Sequence, residues 1–147
     1  VPNKHNGLTF CAGSFSAGEH NDCVAMAKQF ADRTHFVHLR SCYIFPNGNF
    51  TEASHLGGRG HLIELCRIFE KAEQEGKCNS GRRLPMRVDH GMTFTDEPGG
   101  VFDESNHGHN AGYTLLGRMF AMGQIQGVIA TVDDELGIEY KQPGFYD

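Results

Sequence analysis

The pattern of hydrophobic and polar positions along the chain changes period several times. Short apolar runs occupy residues 7–12, 35–40 and 84–89, and helical spacing follows each of them at residues 23–31, 61–75 and 111–129. Short apolar runs that alternate with amphipathic helices are typical of parallel strands joined by right-handed crossovers. The pattern therefore predicts an α/β fold in the order β-α-β-α-β-α, with one parallel sheet.

The helices and connections are predicted from the same pattern. Leu62, Leu65, Cys66 and Phe69 share one face of the second helix. The third helix is expected to have its apolar side at Leu115, Leu116, Met119, Phe120 and Met122. Residues 41–60 and 92–110 contain turn signals without a regular period, so we expect two long loops. Residues 1–129 are then one domain, and residues 130–147 are expected to be a tail without chemistry.

Composition narrows the class of protein. The chain has 147 residues and a net charge of −5, with no run of Lys or Arg, which argues against nucleic-acid binding. No apolar run approaches the roughly 18 residues of a membrane span, and no secretion signal is recognisable, so we expect a cytoplasmic protein. The five cysteines include no CxxC pair, which disfavours a structural zinc site. The first residue is Val1, which suggests part of a longer polypeptide.

Chemically active side chains lie where the predicted strands end. Cys11 ends the first run, His38 and Arg40 the second, and Arg87, Asp89 and His90 the third. Carboxyl ends of parallel strands meet at one edge of a sheet, where ligands bind in such folds. We therefore expect these groups to form one site, most simply a metal site with Cys11, His38 and Asp89 as ligands.

Several features of this site stay open from the residues alone. A buried Asp89 needs a partner, which could be Arg87 or a cation. Thiolate and imidazole suit Zn²⁺ or Fe²⁺, whereas carboxylate suits Mn²⁺ or Mg²⁺. Strand alternation places Arg87 and Asp89 on one face and His90 on the other, so His90 suits proton transfer or orientation better than ligation. Glu52 and His55 are expected to overhang the site, and His107 and His109 to be exposed in their loop.

Five segments in chain order resemble the mannonate dehydratase family. They are NGLTFCAGS at residues 6–14, HFVHLR at 35–40, EASHL at 52–56, MRVDHG at 86–91 and GYTLLGR at 112–118. The resemblance covers roughly residues 6–129. Val88 stands where the family usually has proline, and the family's chain is much longer, with a further metal-binding histidine upstream of this sequence.

The resemblance implies a parallel (β/α)₈ TIM-type barrel, xylose-isomerase-like, of which only the last three βα units are present. It implies a lyase that dehydrates D-mannonate, a small-molecule sugar acid, to 2-keto-3-deoxy-D-gluconate and water in hexuronate (glucuronate) catabolism, with Mn²⁺ or alternatively Fe²⁺. The implied metal ligands are Cys11, His38 and Asp89. His90, Tyr113 and Asp89 match residues at the chemistry, and Arg87, Arg40 and His55 match residues near the substrate.

Alternatives from the residues are a metal-dependent sugar isomerase or phosphodiesterase on a related barrel, or an inactive truncated fragment. A barrel closes only with its full number of strands. We therefore expect the chain to be a homo-oligomer or part of a longer chain, with Phe10, Val37 and Met86 on an uncovered inner face of the sheet.

Overall fold

The computed structural model describes residues 3–94 and 112–139. In this part of the chain the predicted strands and helices occur in the predicted order, with two additional short strands and one additional short helix. The strands are β1 (Leu8–Cys11), β2 (Thr34–His38), β3 (Cys42–Ile44), β4 (Phe50–Glu52) and β5 (Met86–Arg87). The helices are α1 (Ala12–Ser16), α2 (Cys23–Phe30), α3 (Leu62–Gln74) and α4 (Leu115–Leu136). Asp22 caps α2 by accepting hydrogen bonds from the backbone N–H groups of Val24 and Ala25.

The strands β1, β2 and β5 form one parallel sheet in that order. This confirms the predicted α/β class and the parallel sheet. The register aligns Cys11, His38 and Arg87 in one row across the sheet. The preceding row consists of Phe10, Val37 and Met86. Neighbouring rows face opposite sides of a sheet, so the sheet has a polar side at its carboxyl end and an apolar side.

The apolar row packs against the helices. Phe10 and Val37 are fully buried, and the Phe10 ring lies 5.2 Å from the ring of Phe69 in α3 and 4.9 Å from that of Phe15. The prediction that Phe10, Val37 and Met86 form an uncovered inner face is therefore wrong. The helices cover this row because it is the side with aromatic and branched residues, and the other side carries the polar groups.

Residues 41–60 are not the irregular loop that we expected. β3 and β4 pair as an antiparallel hairpin, in which Cys42 lies opposite Glu52. The Gly48 turn, with φ of 84°, reverses the chain between them. Three-residue strands are too short to show a clear period in the sequence. The hairpin carries Glu52 to the carboxyl end of the parallel sheet.

α4 differs from the predicted third helix in its bounds and in its packing. It ends at Leu136, so the predicted end at residue 129 is wrong. The predicted apolar side is exposed, with Leu115, Leu116, Met119, Phe120 and Met122 between 44% and 72% accessible. The buried residues of α4 include Gly117, Ala121 and Ile125 instead. At Gly117 a Cβ atom would lie 2.0 Å from the Met92 carbonyl oxygen. Only glycine permits this close approach between α4 and the segment after β5.

By length and composition alone, α4 could cross a membrane. It has 22 residues, and its most apolar stretch has a mean hydropathy of 1.2. Of that stretch, 22% is buried. The sequence had suggested no segment of this kind. A single helix that meets this criterion is weak evidence for a membrane span, because core helices of soluble proteins meet it too. The way in which the protein assembles must explain why this apolar side of α4 is exposed.

Candidate metal and proton-transfer site

Three possible metal ligands come together at the carboxyl end of the sheet. Cys11 ends β1, His38 ends β2, and Asp89 follows β5. One ligand atom from each lies within 4.8 Å of the other two. Among the described residues, this is the group of His, Cys, Asp or Glu side chains whose spacing could hold a metal ion. The sequence prediction that these residues meet is confirmed as geometry. Their role as ligands stays a prediction.

Asp89 reaches this position through a turn and not through an extended strand. β5 ends at Arg87, and Asp89 has a φ of 54° in the left-handed region. Aspartate adopts this region more readily than most residues. The strand-alternation argument for residues 89 and 90 therefore does not hold, because the backbone reverses its side-chain direction at Asp89. Arg87 nevertheless contacts Asp89, as we expected.

The two carboxylate oxygens of Asp89 have different surroundings. Oδ1 accepts hydrogen bonds from Arg87 Nη2 at 2.9 Å and from the Tyr113 hydroxyl at 3.0 Å. Oδ2 lies 3.5 Å from His38 Nδ1 and 4.0 Å from His90 Nε2. Arg87 is thus a partner of this buried carboxylate. The second oxygen still faces the imidazoles, where a cation would be accommodated.

The environment of His38 favours a neutral imidazole. Burial lowers the pKa of His38, and the Arg87 charge acts in the same direction against the opposing effect of Asp89. A neutral ring has a free lone pair for a metal or a hydrogen bond. The Phe36 ring lies edge-on to the His38 ring at 4.9 Å. Ser14, which the sequence did not single out, donates a hydrogen bond from its hydroxyl to Cys11 Sγ at 3.2 Å.

His90 lies between the metal-ligand group and the hairpin. Its Nδ1 atom is 3.4 Å from Glu52 Oε1. Glu52 is held in turn by Arg40, whose Nε donates to Glu52 Oε2 at 2.8 Å. Both charged groups of this Arg40–Glu52 pair are largely buried. The expectation that Glu52 lies at the site is confirmed, and it forms a link from Arg40 to the imidazole.

Arg40, which the resemblance places near the substrate, is bound to Glu52 in the structure. Its Nε and Nη2 groups both bind Glu52, which raises the pKa of the guanidinium against the effect of burial. Its side chain packs over Gly13, where a Cβ atom would lie 2.2 Å from Arg40 Cδ. Arg40 therefore has a clear structural role in orienting Glu52, and its contact with substrate stays a prediction.

Tyr113 also lies at the site. Its ring centroid is 4.2 Å from that of His90, and its hydroxyl donates to Asp89. Burial, together with the Asp89 carboxylate, raises the pKa of the Tyr113 phenol. The phenol therefore keeps its proton near neutral pH and can donate it. Tyr113 therefore contacts both Asp89 and His90, and its catalytic role stays a prediction.

His55 is not on the surface of the site. It is 1% exposed, and its Nε2 atom lies 2.9 Å from the Val88 carbonyl oxygen. This burial argues against direct substrate contact, which stays an untested prediction. Gln124 of α4, another residue that the sequence did not single out, accepts a hydrogen bond from the His55 backbone N–H. His107 and His109 lie outside the described residues.

Comparison with known proteins identifies the family. The family model for D-mannonate dehydratase (UxuA) matches residues 1–138. The chain belongs to this family. It is 38% identical over 138 residues to mannonate dehydratase 2 of Agrobacterium fabrum, covering 92% of this chain and 33% of that protein. It is 38% identical over 135 residues to the mannonate dehydratase of Saccharophagus degradans, covering 90% and 32%.

A solved structure supports the fold. The mannonate dehydratase from Streptococcus suis serotype 2 superposes with a TM-score of 0.75 at 20% identity, covering all of this chain and 39% of that one. The chain spans about a third of the length of the curated mannonate dehydratases that it matches. The activity of the full-length dehydratases is therefore only proposed for this chain.

Proposed function

We propose that this chain supplies the carboxyl-terminal part of the active site of a hydro-lyase that converts D-mannonate to 2-keto-3-deoxy-D-gluconate and water. The observation that carries the proposal is the meeting of Cys11, His38 and Asp89 within 4.8 Å beside the His90–Tyr113 pair. Membership of the D-mannonate dehydratase family favours this reaction over the isomerase and phosphodiesterase alternatives.

The donor set fits a catalytic divalent ion, for which we propose Mn²⁺ with Fe²⁺ as the alternative. Cys11, His38 and Asp89 would hold it through sulfur, nitrogen and oxygen, and three ligands leave coordination positions open for substrate. When bound, such an ion supplies Lewis-acid stabilisation of negative charge on substrate oxygens. The pKa of His38, lowered by burial, and the Asp89 Oδ2 atom, 3.5 Å from His38 Nδ1, suit this role.

The protein's own groups would manage the protons. The reaction breaks a C–H bond next to the carboxylate and the C–O bond of the neighbouring hydroxyl, and the resulting enol becomes the 2-keto acid, so no oxidant is needed. His90, oriented by Glu52 at 3.4 Å, is placed to move a proton. Tyr113 retains its proton and is placed to donate to the departing hydroxyl. Arg87 has a side chain 40% exposed and can also bind the substrate carboxylate.

We further propose that the sheet is the last part of a TIM-type barrel whose other strands come from a longer polypeptide or another chain. Support comes from the parallel order β1-β2-β5 and from the third of each relative's length that the chain spans. A cytoplasmic setting fits the proposed sugar-acid substrate. In that assembly the apolar side of α4 would be covered by protein.

The activity test uses the chain alone and co-expressed with the amino-terminal two-thirds of the Agrobacterium fabrum relative. After Mn²⁺ loading, D-mannonate is added and 2-keto acid is measured. We expect product from the complemented assembly and a loss of at least about 100-fold with Tyr113→Phe, because general acid–base groups contribute about 10²–10⁴-fold. A folded, metal-loaded assembly without product would overturn the proposed activity.

The metal site is tested separately by Asp89→Asn. Asparagine keeps the size and the tolerance for positive φ but removes the charge, so Mn²⁺ affinity measured by calorimetry should fall by at least about tenfold. The control is Asp134→Asn in the exposed part of α4, which should bind as the parent does. Unchanged affinity in Asp89→Asn would mean that Asp89 is not a ligand and that Arg87 and Tyr113 are the partners of its buried carboxylate.

A further inference from the structure

The turn that presents Asp89 is fixed to the rest of the protein at several backbone atoms. Leu39 N, directly after β2, donates to the Arg87 carbonyl oxygen at 2.7 Å. Gly91 N donates to the Gly112 carbonyl oxygen at 2.8 Å on the far side of Asp89. Between these two bonds the backbone enters the left-handed region at Asp89.

The Val88 carbonyl lies between those attachment points, and the described sheet offers it no strand partner. Val88 is 8% exposed, and a buried carbonyl without a hydrogen bond is costly. His55 Nε2, at 2.9 Å, meets this need. A carbonyl can only accept, so Nε2 carries the hydrogen. The Nδ1 atom is buried and has no hydrogen-bond partner among the described residues.

His55 is itself held from the opposite side. Its backbone N–H donates to Gln124 Oε1 at 3.1 Å, so the backbone at residue 55 is tied to α4 while the ring contacts the segment after β5. A substrate contact would need an exposed polar edge, and His55 has almost no exposed surface. The ring therefore acts on the backbone next to Asp89.

We infer that His55 is a positioning residue, whose Nε2–H bond to the Val88 carbonyl holds the left-handed turn that directs Asp89 toward Cys11 and His38. The inference deepens the proposed function, because it rests on Asp89 as a metal ligand. A carboxylate ligand must point toward the metal ion to bind it. When a residue that orients such a ligand is lost, metal affinity typically falls by about 10–100-fold.

The test compares His55→Gln with His55→Met in the 147-residue chain. The two side chains are similar in length, but only glutamine can donate near the Nε2 position. In the metal-free protein, the backbone ¹³C chemical shifts of Asp89 report its φ. Electron paramagnetic resonance titration gives the Mn²⁺ affinity. We expect His55→Gln to keep the left-handed shifts and the affinity within about threefold. His55→Met should lose the shifts and bind about 10–100-fold more weakly.

Two further variants guard the result. Leu65→Ala removes core packing in α3, where Leu65 is fully buried, and should lower stability without changing the Asp89 shifts. If His55→Met fails to fold, His55→Asn replaces it, because its shorter amide cannot reach the Val88 carbonyl. Retention of both the shifts and the affinity in His55→Met, or the same losses in Leu65→Ala, would overturn the inference. If Asp89 depends on His55 but the parent chain does not bind Mn²⁺, the positioning role stands and the proposed metal site fails.

Discussion

At the scale of single residues, Glu70 of α3 has an environment that penalises its charge. Burial raises its pKa from the usual 4.5 to about 7, and Asp133 and Glu73 add to the effect against the opposing charge of Arg83. These side chains line a cavity of about 530 Å³ between α3, α4 and the start of β5. This cavity contains none of the proposed metal ligands, so its acids bear on stability.

The sign of the resulting pH dependence follows from the raised pKa. The folded chain binds a proton at Glu70 more tightly than the unfolded chain, so stability is highest below about pH 4.5 for this group and falls as pH rises through about 7. Glu70→Gln removes the titration. The full shift would correspond to about 3 kcal/mol, but the carboxylate is partly open to water, so we expect the variant to be more stable by about 1 kcal/mol at pH 8.

Urea unfolding at pH 5 and pH 8 measures this difference. The matched control is Glu19→Gln, which changes an exposed glutamate outside the cluster. If the free energies of unfolding of the parent and Glu70→Gln differed by the same amount at pH 5 and at pH 8, the buried cluster would not penalise the Glu70 charge.

The residues of the site were predictable where strand ends determine their position. Cys11 and His38 could be placed together because they end consecutive parallel strands, whose carboxyl ends lie side by side. Asp89 could be placed near them, but its positive φ could not be predicted, because it depends on contacts with distant residues. The same limit applies to His55, whose buried bond to Val88 joins residues 33 positions apart.

At the scale of elements, α4 shows why apolar periodicity can misplace a helix. Large apolar residues and glycines both recur along it, and hydrophobicity alone favours burial of the large ones. Close backbone contact at Gly117 determines the orientation instead, since no larger residue would permit the approach to Met92. The hairpin of β3 and β4 was missed for a different reason, because its strands are too short to establish a period.

This packing predicts opposite effects for two glycine substitutions in the same helix. Gly117→Ala would place a Cβ atom 2.0 Å from the Met92 carbonyl oxygen, so we expect a loss of about 1–3 kcal/mol in the free energy of unfolding. Gly123→Ala meets no atom within 4 Å and should gain up to about 1 kcal/mol from helix propensity. Urea denaturation of both variants measures the contrast. Equal stabilisation by the two substitutions would contradict the docking of α4 at Gly117.

At the scale of the whole molecule, the described chain has surfaces that a complete barrel would cover. β1 and β5 each have one strand neighbour in the described sheet, and such open edges favour further pairing. The α4 side with Leu115, Met119 and Met122 is exposed as well. The relatives are about three times as long, which provides a reason for these surfaces.

We therefore expect the isolated chain to self-associate at micromolar concentration, or to pair with an amino-terminal fragment of a relative. Analytical ultracentrifugation measures this, with a Leu115→Lys/Met119→Lys double variant to test the α4 side. Two charges on that side should reduce the associated fraction several-fold, because they disrupt apolar contact. Thr131→Lys adds a charge at another exposed position of α4 and should leave association nearly unchanged. A compact parent monomer that unfolds cooperatively would contradict the incomplete-barrel proposal, since its exposed edges and apolar helix side would then be stable in water without a partner.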